Sequence, residues 1–147
     1  MKWAEANERF GLARILSGCS FLAVVALWLV AFQLEPQSKG YGTHQQLGLG
    51  GCSILTWTGW PCPMCGMTTT FAMMAEGRWI SALFNQPMGF LLALVSFAVG
   101  AVSAGEMFKP TGRWRRIWRR AVCHEKKVII LFVVLMISSW LYKIAVL

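Results

Sequence analysis

The chain has 147 residues, 56% of them hydrophobic and only 14% charged, with a formal net charge of +8. Such a composition excludes an ordinary soluble domain and places the chain in a bilayer. The positive charge is concentrated in one loop between apolar stretches, where membrane insertion needs it, so it does not argue for nucleic-acid binding.

The expected fold is all-α: three transmembrane helices and a short half-helix or interfacial helix, forming a single polytopic domain over residues 1–147. The first span is placed at about 15–34, where Ile15 to Leu34 carries no charge. Its exit, Ala31-Phe32-Gln33-Leu34-Glu35-Pro36, offers no small-x-small processing site, so the segment reads as a retained anchor and not as a signal peptide. Cys19 within it reads as a small apolar packing residue. A polar, turn-rich loop follows from Glu35 to Gln46.

From Gln45 to Ala75 the sequence has no charged residue. Its glycine-rich first half, Gly48 to Trp60, is too apolar for free exposure to water, and is expected to pack on the spans with Trp57 and Trp60 in an aromatic belt. Then comes the most pointed feature of the chain, the knuckle Pro61-Cys62-Pro63-Met64-Cys65-Gly66. The CxxC spacing sets two sulfurs on one tight turn, able to close a disulfide or to grip a soft metal ion. Thr68 or a neighbour is expected to cap a short helix running to about Glu76 and stopped by Gly77, with a second piece from Trp79 to Phe84. A helix of that length reaches only half the bilayer, so it either packs on the spans or lies flat. Amides at its N-terminus are expected to lower the thiol pKa of Cys62 or Cys65.

The second span is placed at about 87–106, with Gly100, Ala101, Ser103 and Ala104 permitting close helix contact. The third is placed at about 128–147, with Lys143 expected to snorkel to the interface beside Trp140 and Tyr142. No span is expected to bury an acid or a histidine. Between these spans, loop 109–127 holds eight basic residues against one acid, Glu125. The positive-inside rule makes that loop and the N-terminus cytoplasmic, and puts segment 35–86 and the C-terminus outside an inner cell membrane. Trp114, Ile117, Trp118, Ala121 and Val122 fall together in a helical pattern, as for a helix resting on anionic headgroups. Cys123 and His124 stand apart from the other cysteines and read as structural or incidental.

Cys52, the run Thr58-Gly59-Trp60-Pro61-Cys62-Pro63-Met64-Cys65-Gly66-Met67-Thr68, Gly77, and Asn85-Gln86-Pro87 opening a span together resemble the bacterial membrane proteins grouped as domain of unknown function 2752. That pattern runs C, about ten residues, CPxCGxTR, a helix with a glycine turn, then N-P, and it covers about residues 52–105. The resemblance implies a small polytopic membrane protein and supplies no established activity. Two departures stand out: Thr69 occupies a position where the family often has arginine, and Gln86 separates the usual Asn-Pro pair.

Three functions compete. Cys52, Cys62, Cys65 and His44 supply four ligands suited to tetrahedral zinc, and Met64, Met67, Met73 and Met74 nearby make copper(I) a lesser alternative. A CxxC beside a third cysteine can instead shuttle a disulfide between Cys62-Cys65 and Cys52, the chemistry of a membrane thiol-disulfide oxidoreductase. In the third reading the cysteines pin a loop of an accessory or scaffold component that serves other membrane proteins. Hydrolase triads, phosphate-binding loops and dinucleotide fingerprints have no support in the sequence. The orientation is checked by applying a membrane-impermeant thiol reagent to intact cells: it labels the knuckle and leaves Cys123 unmodified, and labelling of Cys123 alone would invert the topology.

Overall fold

The computed structural model describes residues 2–108 and 111–146, and for residues 2–10, 12, 13, 114, 115 and 118 it describes the backbone alone. Among these residues all regular secondary structure is helical. Three helices are long and apolar enough to cross a membrane: α1 (Lys2–Gln33, its apolar part Arg14–Gln33), α5 (Pro87–Phe108) and α7 (Glu125–Val146). Proline at the first position of α5 suits a helix start, because its missing N–H would have no intrahelical partner there. The chain is a small helical membrane protein.

Between α1 and α5 lie a 3-10 turn (Thr43–Leu47) and three short helices, α2 (Ser53–Thr58), α3 (Met67–Ala75) and α4 (Trp79–Asn85). Together they cap one end of the bundle; α6 (Arg113–Cys123) and its arginines occupy the other. The half-helix α3 packs on the spans, touching α1, α4 and α5, with Thr69, Thr70, Ala72, Met73 and Met74 buried. At nine residues it is about 14 Å long, so protein, not lipid, must surround its ends. Its N-cap is Gly66 in the left-handed conformation at φ 91°, and not Thr68. Gly77, also left-handed, follows it as expected.

The core forms where α1, α3 and α5 meet. Trp28 stacks on Phe97 at a centroid distance of 4.1 Å, tilts against Phe71 at 5.6 Å, and donates its indole N–H to Ser96 Oγ at 3.1 Å. Around it pack Ala31, Met73, Met74, Ala82 and Ala93. Gly100 admits Val24, whose Cγ1 would stand 3.1 Å from any added Cβ, the close approach that small residues provide between membrane helices.

Helix α7 stands apart from this core. Val128 to Val134 is exposed on every side, as a lipid-facing helix is, and the helix is fastened at its cap end instead. There Ser139 Oγ accepts the Met88 amide at 3.2 Å and Tyr142 donates its hydroxyl to Phe84 O at 2.7 Å. Lys143 does not snorkel. It is 4% exposed, and its ammonium donates to Gly40 O at 3.3 Å, Asn85 O at 3.1 Å and Asn85 Oδ1 at 3.0 Å. A lysine can use three donors, and three protein oxygens around a fixed point outcompete a stretched path to water.

Three other expectations are corrected. Residues 48–60 do not pack on the spans: α2 buries none of its side chains, and Trp57 is 88% exposed. Six residues bounded by glycine-rich turns make one apolar stripe too short to displace the α1–α3–α5 contacts. Glu106, in the last turn of α5, is buried at 4% exposure, although no buried acid was expected in a span. Its carboxylate accepts the Thr111, Gly112 and Arg113 amides and the Thr111 hydroxyl at 2.6–3.3 Å, so it closes the turn into α6 from outside that helix. Cys19 faces outward and not into the core.

The clasp around Lys143 requires glycine at two points. A Cβ on Gly66 would lie 2.6 Å from Gly40 O, and one on Gly40 would collide with Asn85 Oδ1; both residues have positive φ. Gly66→Ala is therefore expected to lower unfolding stability in detergent by roughly 2–4 kcal/mol, combining left-handed strain with a backbone clash. Gly18→Ala, in α1 with nothing within 4 Å, is expected to leave it unchanged or slightly raised. Equal midpoints for Gly66→Ala and the unaltered protein in thermal or denaturant unfolding would refute the assignment.

Candidate functional site

The knuckle begins and ends with residues that set its shape. Pro61 and Pro63 have no N–H to donate, so the loop cannot satisfy itself through regular backbone pairing, and its carbonyls need outside donors. Trp140 of α7 donates its indole N–H to Pro61 O at 2.6 Å, and Gln86 donates its amide to Pro63 O at 2.9 Å. Gly66 O receives the Thr70 hydroxyl at 2.9 Å, the Thr70 amide at 2.8 Å and Asn85 Nδ2 at 3.2 Å. Within the loop the Cys65 amide returns to Cys62 O at 2.9 Å, the tight turn that CxxC spacing implies. Gln86, a departure from the family pattern in sequence, thus anchors the knuckle directly.

Three segments deliver donor atoms to one cavity of about 220 Å³: the 3-10 turn with His44, the N-cap of α2 with Cys52, and the knuckle with Cys62 and Cys65. The four residues marked as zinc ligands therefore line one space, together with Met64 and Thr69. That volume is below the roughly 300–1,000 Å³ typical of pockets for organic ligands. Of the methionines, Met64 reaches the cavity, whereas Met73 and Met74 belong to the core around Trp28. Thr69 is fully buried and shares a 2.8 Å hydrogen bond with Thr43 Oγ1.

The thiols differ electrically, and not as the sequence suggests. Cys52 is the one held below its ordinary value, chiefly by the Leu55 backbone amide beside its sulfur, with burial opposing and the Cys62 thiol and Ile54 amide assisting. Cys62 is pushed up by burial and by its hydrogen-bonding contact with Cys52. Cys65 is pushed up to about 11, first by burial and then by the neighbouring sulfurs, with Lys143 acting in the opposite direction. The expected amide effect therefore operates at α2, which the sequence analysis did not treat as a helix, while burial dominates in the knuckle. The Cys52–Cys62 contact is a thiol donor set against the most acidic sulfur of the group.

His44 Nε2 stands 3.1 Å from Gly50 O. A carbonyl only accepts, so Nε2 is the donor in this contact, the outer hydrogen bond that in metal-ligating histidines leaves Nδ1 to the metal. Among the described residues no three His, Cys, Asp or Glu side chains are already gathered in a metal-holding group. The four donors share a cavity without closing on one point.

The fold and this site define a small helical membrane protein with a thiol-lined cavity at one end of its bundle. Residues 52–100 match the family described as "Protein of unknown function (DUF2752)", in agreement with the resemblance carried by the cysteine pattern. The match contains all three cavity cysteines, Asn85 and Gln86, and leaves out His44, Gly40 and Lys143. No curated protein and no solved structure matches the chain.

Sequence reasoning missed Lys143, Asn85, Gln86 and Trp140 as parts of the site. The available signal was the lysine itself, a charge inside an otherwise apolar span. The thiol order is checked by alkylating the reduced protein with iodoacetamide and following each cysteine by mass spectrometry. Cys52 reacts first and at lower pH than a free thiol, since a lowered pKa supplies thiolate earlier. Cys62 follows, and Cys65 reacts last, with its rate still rising as pH passes 9. Faster reaction at Cys65 than at Cys52 would contradict the geometry.

Proposed function

We propose that this protein is an accessory component of the inner cell membrane whose outer-face site, Cys52, Cys62, Cys65 and His44, binds a soft or borderline metal ion, with zinc favoured over copper(I). The observation that carries this reading is that four donors from three separate segments line one small cavity. The His44 contact with Gly50 O supports it, because Nδ1 remains available as a ligand. Three sulfurs and one imidazole nitrogen suit tetrahedral zinc, and a single thioether at the cavity, that of Met64, weakens the case for copper(I). Binding draws the donors together and releases the thiol protons to solvent, fastening the 3-10 turn and α2 to the knuckle. The basic helix α6 then lies on the cytoplasmic side against anionic headgroups, and the exposed apolar residues of α2 face lipid or another membrane protein.

The hydrogen-bonding contact of Cys52 with Cys62 favours a second reading, a disulfide between these two exchanged with Cys65 or a partner thiol.

One preparation separates the two. Protein purified in mild detergent without added reductant is expected to carry about one zinc ion per chain, and Cys62→Ser to lower that content by at least about tenfold, since a lost thiolate opens the coordination shell. If no metal is retained after zinc loading, and two thiols become titratable only on reduction, the metal reading fails and the disulfide reading stands.

A further inference from the structure

A second cavity, of about 450 Å³, lies at the cap end between the loop after α1, helix α4 and the last turns of α7, and it shares no lining residue with the thiol cavity. Its volume falls within the roughly 300–1,000 Å³ of pockets that take organic ligands. Two lysines, Lys39 and Lys143, line it, and no acid does. Ser38, Tyr41 and Ser81 add hydroxyl donors, and Phe84 and Val146 add apolar surface. Lys143 is fixed in this lining by its hydrogen bonds to Gly40 O, Asn85 O and Asn85 Oδ1, which hold the ammonium without neutralising it because each acceptor is uncharged. Among the described residues the one ion pair is Arg78–Glu76, so Lys143 meets no carboxylate there. A buried positive charge in a membrane helix is costly unless something negative comes near it, and the open side of this cavity is where a negative group can arrive.

We propose that this cavity binds a phosphate group, that of an anionic phospholipid in the leaflet at the cap end. Lys143 supplies a fixed point charge: its three N–H donors are committed to protein oxygens, so it acts on the phosphate by charge and not by a further hydrogen bond. Lys39 is exposed and supplies a second, adaptable cation, while the hydroxyls of Ser38, Tyr41 and Ser81 supply hydrogen bonds to the phosphate oxygens. A lipid is favoured over free phosphate because the cavity also presents Phe84 and Val146, which are 64% and 61% exposed and give the glycerol and first acyl carbons an apolar surface. Basic pockets between membrane helices take anionic headgroups by the same combination. The site needs no metal at the thiol cavity, so the two readings stand or fall separately.

The test titrates the full-length protein, in a neutral detergent, with dihexanoyl phosphatidylglycerol and with dihexanoyl phosphatidylcholine, and follows the first bound lipid by native mass spectrometry. The anionic lipid is expected to bind at least about tenfold more tightly than the zwitterionic one, as two basic residues at a headgroup allow. Lys39→Gln is expected to weaken the anionic lipid about fivefold and Lys143→Gln by at least as much, with the zwitterionic lipid unmoved. Lys39 lies outside the clasp, so its variant keeps the test decisive where Lys143→Gln fails to fold. A triple variant of α6, Arg116→Gln with Arg119→Gln and Arg120→Gln, is expected to leave the first anionic lipid in place, which separates this cavity from the basic helix at the other end. Inorganic phosphate, added as a competitor, is expected to displace that lipid only in large excess. Displacement at equal concentration, with the same dependence on Lys39, would uphold the phosphate site and make free phosphate its ligand. Equal affinity for the two lipids with no effect of phosphate, or an anionic preference that survives both lysine variants and disappears in the α6 variant, would overturn the proposal.

Discussion

The interaction on which the cap end depends is the set of three hydrogen bonds from the Lys143 ammonium to Gly40 O, Asn85 O and Asn85 Oδ1. It gathers four pieces of chain that share no regular secondary structure: the loop after α1, the glycine that ends the knuckle, the α4–α5 junction and the last turns of α7. Apolar packing is concentrated around Trp28, Met73 and Met74, where α1, α3 and α5 meet, and that cluster includes no residue of α7. In water such hydrogen bonds would contribute little, since each group has a solvent partner in the unfolded chain. In a bilayer-facing bundle an unmade bond leaves a polar group unsatisfied, so the clasp is held by what its absence would cost.

The knuckle extends the same logic. Two prolines remove donors from a loop that must turn sharply, and its carbonyls are taken up by side chains distant in sequence, Trp140, Gln86 and Asn85, and by Thr70 of the adjoining α3. The result is a rigid frame around Cys62 and Cys65, set beside a less supported strip that carries His44 and Cys52. That contrast decides where adaptation occurs. Any rearrangement that brings the four donors to one point must move the 3-10 turn and α2, which have few packing contacts, and leave the knuckle in place.

Much of the architecture was legible in the sequence, because uncharged runs such as Ile15 to Leu34 and Met88 to Gly105 answer to a single solvent constraint, the thickness of the hydrocarbon layer. The half-helix and its glycine stop were legible for a local reason, since Gly77 is the residue that a left-handed turn favours. What escaped were properties set by tertiary contact. Lys143 looks like an interfacial lysine from its neighbours Trp140 and Tyr142, and only the approach of Gly40 and Asn85 makes burial the better state. The thiol pKa order escaped because it depends on which sulfur is buried and which amide faces it, and neither follows from CxxC spacing. Glu106 escaped because its partners belong to the turn before α6, so its carboxylate reads as a lone charge until that turn is seen.

The clasp joins residues from the loop after the first span and from the last turns of the third, 103 positions apart along the chain. A ribosome delivers these in sequence, and during that interval the loop, the knuckle and the α4–α5 junction lie in place without the ammonium that fastens them. The frame around the cysteines is therefore incomplete until α7 is in place, because Trp140 and Lys143 both supply donors to it. An error in inserting that helix would leave a site near the middle of the chain without donors that its frame depends on.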